Sequence, residues 1–256
     1  MSTFTFGTYR LDAKTAFEMT KKAVGCGVKH IDTAQLYKNE HSIAWLANDN
    51  SVYITTKIHK KIIQDAVKNP TAIKDSVESS LKNIGRINCV LLHSPEVGYL
   101  DAWKQLVQVQ KEHSMIFEIG TSNFGIEQLE DIRNNGVILP SVNQIEVTPF
   151  NQCSELVKYC KKHNIQITAH SSLTKGKKFD HPTLKMIAEK HKCGVANILI
   201  NWSHNQGFIP IISTTSFNHL LEDTAKITLD DEDFDKLSQL EEGFQTHPQY
   251  LCVKNV

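Results

Sequence analysis

Short apolar, β-branched runs recur along the chain, each ending in polar residues and followed by a stretch of helical spacing. The runs are TFTFGTY (3–9), VKHIDT (28–33), VYITTK (52–57), CVLLHS (89–94), IFEIGTS (116–122), SVNQIE (141–146), IQITAHS (165–171) and FIPIIST (208–214), eight in all. Several are nearly continuous in apolar residues rather than alternating, the pattern of strands buried on both faces of a parallel sheet. Between them, Ile73, Val77, Leu81 and Ile84 fall on one helical face that Gly85 closes. Leu156, Tyr159 and Cys160 make a second stripe, and Val195, Ile198, Leu199 and Trp202 a third. Asp12 is placed to cap a helix that ends at Gly25 or Gly27. Strand and helix alternating eight times predict an α/β fold, a closed (β/α)8 barrel of the TIM type, as a single domain over residues 1–256. An open doubly wound sheet is the runner-up, but no G-x-G-x-x-G follows the first run.

Composition narrows the partners. The chain has 256 residues, 40% of them hydrophobic, which is ample for a core. Lys+Arg and Asp+Glu both number 28, so no overall charge draws it to nucleic acid or an anionic membrane. With Arg10, Arg86 and Arg133 the only arginines, an anion site is expected to rely on lysines, backbone amides and hydroxyls. The six cysteines show neither C-x-x-C nor zinc-ligand spacing and read as reduced thiols. The opening MSTFTFGTYR has no signal-peptide pattern, and no apolar stretch is long enough for a membrane span. A cytoplasmic monomer is expected, with an oligomer left open.

The ends of the apolar runs carry chemistry. They offer Thr8 and Tyr9, Asp32, Lys57, His93, Ser122 and Asn123, Gln144 and Glu146, His170, and Ser213 and Thr214. Active sites of such barrels sit at the C-terminal ends of the strands. Asp32, Tyr37, Lys57 and His93 follow three neighbouring runs and are placed to converge. A phenol is a poor acid at neutral pH; an ammonium within hydrogen-bond reach favours its phenolate, and a carboxylate holds that ammonium in place. A histidine beside them would hydrogen-bond a substrate oxygen on its way to an alkoxide. The competing reading joins Asp32, His93, Glu146 and His170 as metal ligands, but no H-x-H pair accompanies them and Lys57 would repel a cation, so no metal is expected.

Those four positions resemble the catalytic tetrad of the aldo-keto reductase superfamily. HIDTAQLYKNE, ITTK, LLHSP, GTSNF and NQIE match its motifs in order, and the similarity runs from FGTYR to HPQY. The resemblance implies an NAD(P)H-dependent reductase of small aldehydes and ketones. Its cofactor would be NADP(H), with NAD(H) as the alternative. Tyr37 would donate the proton, Lys57 with Asp32 would lower the pKa of Tyr37, and His93 would orient the carbonyl. Ser122, Asn123 and Gln144 would hold the nicotinamide carboxamide, whose donors and acceptors suit amides and a hydroxyl. Ser171 and Leu173, in SSLTKGKKFD with Lys175, Lys177 and Lys178, fall where the family covers the pyrophosphate. A barrel that binds cofactor in a regulatory role, with little turnover, is the alternative function.

Several positions depart from the family pattern. A tyrosine that usually stacks on the nicotinamide is His170 here, and a tryptophan common after the catalytic histidine is Ser94, which predicts a wider, more polar pocket with Tyr9 as its aromatic wall. The family's hairpin ahead of the first strand is largely lacking, the stretch after Tyr37 is short, and the tail after THPQY is short, which suggests an open pocket. The loop after the eighth run meets the 2′-phosphate with Ser213, Thr214, Ser216 and His219 and no cation, while Glu222 and Asp223 fall at the adenine position. Weak discrimination between NADPH and NADH is therefore expected, sharpening as His219 protonates, with Lys226 as a reserve cation.

Overall fold

The computed structural model describes residues 4–112, 118–223, 225 and 227–248. Eight parallel strands, β1 (Thr5–Gly7), β2 (His30–Asp32), β3 (Tyr53–Ile58), β4 (Cys89–Leu92), β5 (Glu118–Ser122), β6 (Val142–Glu146), β7 (Gln166–His170) and β8 (Ile209–Ile212), pair in chain order. The barrel closes where Phe6 of β1 lies opposite Ile31 on one side and Ile212 of β8 on the other. Every strand but β3 is shorter than the run that predicted it, because the apolar flanks continue past the ladder into core-facing loops; β3 keeps the length of its run and is shifted by one residue. Residues 116 and 117 of the fifth run lie outside the described residues.

The helices are α1 (Ala13–Gly25), α2 (Lys60–Asp65), α3 (Ala72–Ile84), α4 (Tyr99–Glu112), α5 (Ile126–Asn134), α6 (Ser154–Lys162), α7 (Pro182–Lys190), α8 (Val195–Asn205), α9 (Phe217–Asp223) and α10 (Asp231–Ser238). The Asp12 side chain caps α1 by accepting from the Thr15 amide, and Gly85, at φ 88°, ends α3 in a conformation that side chains resist. The expected alternation fails once. Between β2 and β3 the chain forms only 3₁₀ turns, Gln35–Tyr37 and Glu40–Leu46. In place of an α-helix, the buried Glu40 carboxylate pins this connection by accepting from Thr56 (2.6 Å) and Ser80 (2.9 Å).

The main apolar core is a shell between the sheet and the helices, containing Phe6, Ile54, Leu92, Trp103 and Trp202. The barrel lumen holds a separate, much smaller cluster of Cys89, Leu91 and Val142, with Tyr53 against it. Gly120 of β5 is obligatory there: a Cβ would lie 2.5 Å from the Val142 carbonyl oxygen and 2.6 Å from Leu91 Cδ2. Above this cluster the lumen turns polar, and its upper rim is the site.

Candidate active site

Asp32 ends β2, Lys57 lies near the end of β3, and Tyr37 rides on the 3₁₀ turn that follows β2. Their side chains meet. Lys57 Nζ donates to Asp32 Oδ1 at 2.5 Å, to the Thr33 carbonyl at 3.0 Å and to Tyr37 Oη at 3.2 Å. Lys57 is 0% exposed and Asp32 3%. Burial pulls the lysine pKa down, and the Asp32 carboxylate pushes it back up. The second Asp32 oxygen accepts from Gln144 Nε2 at 2.9 Å. Gln144 therefore braces the ion pair from β6 while keeping its own oxygen for an amide N–H.

His93, just beyond β4, stands edge-on to Tyr37, with ring centroids 5.9 Å apart. Burial, then the nearby Lys57 charge, drives its pKa well below the usual histidine value, so the ring is neutral. His93 Nδ1 is buried with no hydrogen-bond partner among the described residues. A neutral imidazole orients an oxygen by a single N–H and gives up no proton near neutral pH.

The amide rim forms one network. Asn123, at φ 63°, donates from Nδ2 to the His93 carbonyl and to Ser122 Oγ, both at 3.1 Å. His170 Nε2 lies 2.9 Å from Asn123 Oδ1, a contact in which the ring nitrogen donates. Ser122 in turn donates to the Gln144 carbonyl at 3.1 Å. His170 is held neutral at about 3 by burial, with His247 and Lys57 adding to the shift. It is thus more than an aromatic face, because it fixes the orientation of Asn123.

A cleft of about 180 Å³ lies over this network. Tyr9, Asp32, Tyr37, His93, Ser122, Asn123, Gln144, His170, Ser171, Leu173 and Ser213 line it, as their sequence positions predict. Tyr9 is the expected aromatic wall, 5.0 Å from the Tyr37 ring. Ser94 is not in the lining: it is buried and donates to Glu96 at 2.8 Å. Thr214, His219, Glu222 and Asp223 lie beyond the cleft, Thr214 accepting from the Ser216 amide. Asp223 is 4% exposed, and burial raises its carboxyl to about 6, so it faces the protein interior rather than an open adenine site. Lys226 lies outside the described residues.

Six lining residues escaped the sequence reading as site residues: Gly7, Leu36, Lys175, Ile211, Ile212 and His247. His247 stands between Tyr9 (6.1 Å) and His170 (6.2 Å). Its segment is latched by Glu146, whose carboxylate accepts from the Thr246 (2.6 Å) and His247 (3.2 Å) amides. Glu146 is thereby spent on the backbone, and no group of three or more His, Cys, Asp or Glu able to hold a metal occurs among the described residues.

The lysine run sorts itself. Lys178 pairs with Glu242 and covers the rings of Phe150 and Phe244. Lys175 instead lines the cleft, its pKa lowered by burial and then by the neighbouring Arg10. Arg10 thus stands near Lys175 at this end of the cleft. Repelling cations at the end of a neutral cleft suit a diphosphate, and the polar rim above suits a carboxamide. The residues present fit a nicotinamide dinucleotide.

The aldo/keto reductase family model matches residues 2–242. The chain belongs to the aldo/keto reductase family. This reductase is an NAD(P)-dependent oxidoreductase. It is 32% identical to an uncharacterized oxidoreductase of Schizosaccharomyces pombe over 96% of its own length and 90% of that protein. It is 31% identical to the glyoxal reductase of Bacillus subtilis, over 97% and 92%. Among solved structures, a mutant of Gox0644 in complex with NADPH superposes with a TM-score of 0.87 at 28% identity, covering 93% of this chain and 88% of that one. No helix among the described residues is long and apolar enough to cross a membrane.

Proposed function

We propose that this reductase converts small aldehydes and ketones, reactive dicarbonyls such as glyoxal and methylglyoxal among them, to alcohols, with Tyr37 as the proton donor. The observation that carries the reading is the line Asp32–Lys57–Tyr37, at 2.5 and 3.2 Å, facing a neutral His93 across the cleft. NADPH, when bound, supplies the hydride that reaches the carbonyl carbon. Ser122, Asn123 and Gln144 hold its carboxamide, and Lys175 with Arg10 meets its phosphates. His93 donates one N–H to the carbonyl oxygen and fixes its position. As negative charge grows on that oxygen, Tyr37 gives it the phenolic proton. The phenolate left behind is stabilised by the Lys57 ammonium, which Asp32 and Gln144 hold still. Solvent then returns a proton to Tyr37.

The glyoxal reductase relative and a cleft edge built of rings and hydroxyls support small carbonyl substrates. Among the described residues the loop after β8 adds the Ser213 hydroxyl and no cation to the cleft, which supports weak discrimination between NADPH and NADH. We place the enzyme in the cytoplasm as a monomer.

The test is NADPH consumption with methylglyoxal. Tyr37→Phe is expected to lower turnover by about 10²–10⁴ while NADPH still quenches the tryptophan fluorescence. Wild-type turnover in that variant would remove Tyr37 from the mechanism. Full cofactor binding with no turnover of any carbonyl by the unaltered protein would favour the regulatory role.

A further inference from the structure

A second cavity, of about 470 Å³, opens at the opposite end of the barrel. The first residue of every strand lines it, from Thr5 of β1 to Ile209 of β8. The floor of such a barrel is ordinarily filled by layers of bulky branched side chains. Here Thr5, Thr55, Cys89 and Thr168 supply too little volume.

The cavity is chemically specific. Thr5 and Thr168 are 1% and 5% exposed, and their hydroxyls have no hydrogen-bond partner among the described residues. Buried hydroxyls of this kind are rarely left unmet. The Tyr53 hydroxyl, by contrast, is buried against Glu118 and Cys89. Among the described residues neither lysine nor arginine lines the space. Asp32, at its inner end, is neutralised by Lys57. His30 is neutral, its pKa lowered by burial to about 4, and its Nε2 is engaged with Thr55 at 2.8 Å. Among the described residues the remaining formal charge is Glu118, partly exposed, with Ser141 Oγ at 3.4 Å. Leu91, Ile209 and Ile211 form an apolar wall. The space would take roughly fifteen waters at their liquid volume, but water against that wall is poorly held and readily displaced.

We propose that the barrel floor is a second binding site, separate from the catalytic cleft, for a small amino alcohol: its ammonium group pairs with Glu118, and its hydroxyl satisfies the buried threonines. Asp32 and Gln144 face both cavities, so the two sites share a wall yet do not overlap in their openings.

Ethanolamine is the probe, titrated calorimetrically into the full chain, with ethylene glycol as the uncharged isostere. Ethanolamine binds and ethylene glycol does not. Glu118→Gln weakens ethanolamine binding about tenfold or more, the scale of a hydrogen bond to a charged group. Thr168→Val weakens it to a smaller degree. Both variants keep carbonyl turnover, which establishes that they fold. Saturating NADPH leaves the affinity in place. The proposal is overturned if ethanolamine does not bind the folded wild type, if Glu118→Gln binds it equally well, or if NADPH displaces it.

Discussion

Replacing Lys57 with methionine tests whether the buried pair is held for its chemistry or for its stability. In the wild type the ammonium makes three hydrogen bonds, and Asp32 accepts one more from Gln144. Lys57→Met leaves a carboxylate at 3% exposure with a single amide donor. Breaking a buried ion pair by removing one partner costs about 3–5 kcal/mol. For a chain of this size each kcal/mol lowers Tm by roughly 2–4 °C, so a fall of about 6–20 °C is expected. Adding Asp32→Asn removes the stranded charge while keeping an acceptor for Gln144, so the double variant recovers more than half of that loss. Activity behaves differently: neither the single nor the double variant regains methylglyoxal reduction, because the phenolate has no cation beside it. Thermal unfolding of the four members of the cycle, alongside NADPH consumption, reads both quantities. A single variant that unfolds within 1 °C of wild type, or a double variant that loses the sum of the two single effects, would refute the reasoning.

Further expectations concern cofactor affinity and pH. His170→Phe keeps an aromatic ring but removes the donor to Asn123; loss of about 1 kcal/mol should weaken NADPH binding about fivefold, and unchanged fluorescence titrations would reduce His170 to a space filler. Lys175→Met should weaken NADPH binding about ten- to a hundredfold and flatten its dependence on salt; an unaltered salt slope would place the diphosphate elsewhere. Asp223 ionises near 3.8 when unfolded and, through burial, at about 6 when folded. The stability it lends is therefore complete below pH 3.8 and is lost as pH rises through 6. Asp223→Asn should accordingly raise Tm at pH 8, by the equivalent of at most about 3 kcal/mol, and leave it nearly unaltered at pH 4; the opposite pattern would mean that the carboxylate is paired.

The barrel was legible because strands buried on both faces must be apolar throughout, and each had to be followed by something amphipathic. The exception, Glu40–Leu46, was legible only as a short connection; its 3₁₀ form was hidden because its support is a buried carboxylate bonded to β3 and α3, contacts that no local period encodes. The tetrad was readable from its motifs, and the geometry brings all four together. His247 was not readable, since it reaches the cleft through two backbone amides held by Glu146, a hundred positions earlier. The place of Arg10 was not readable for a related reason. Arg10 was weighed only as a scarce residue type, yet the loop after β1 delivers it beside Lys175. Gln144 showed one role in sequence and takes two in space.

The separation of the outer apolar shell from the lumen governs how this protein can change. Apart from Ile212 and the partly buried Leu173, the residues that hold the helices to the sheet do not line the cleft. A substitution at the rim therefore trades one activity for another without endangering the architecture, and drift in the shell passes unnoticed by the substrate. New specificities are reachable by single steps, each of which leaves a folded protein behind.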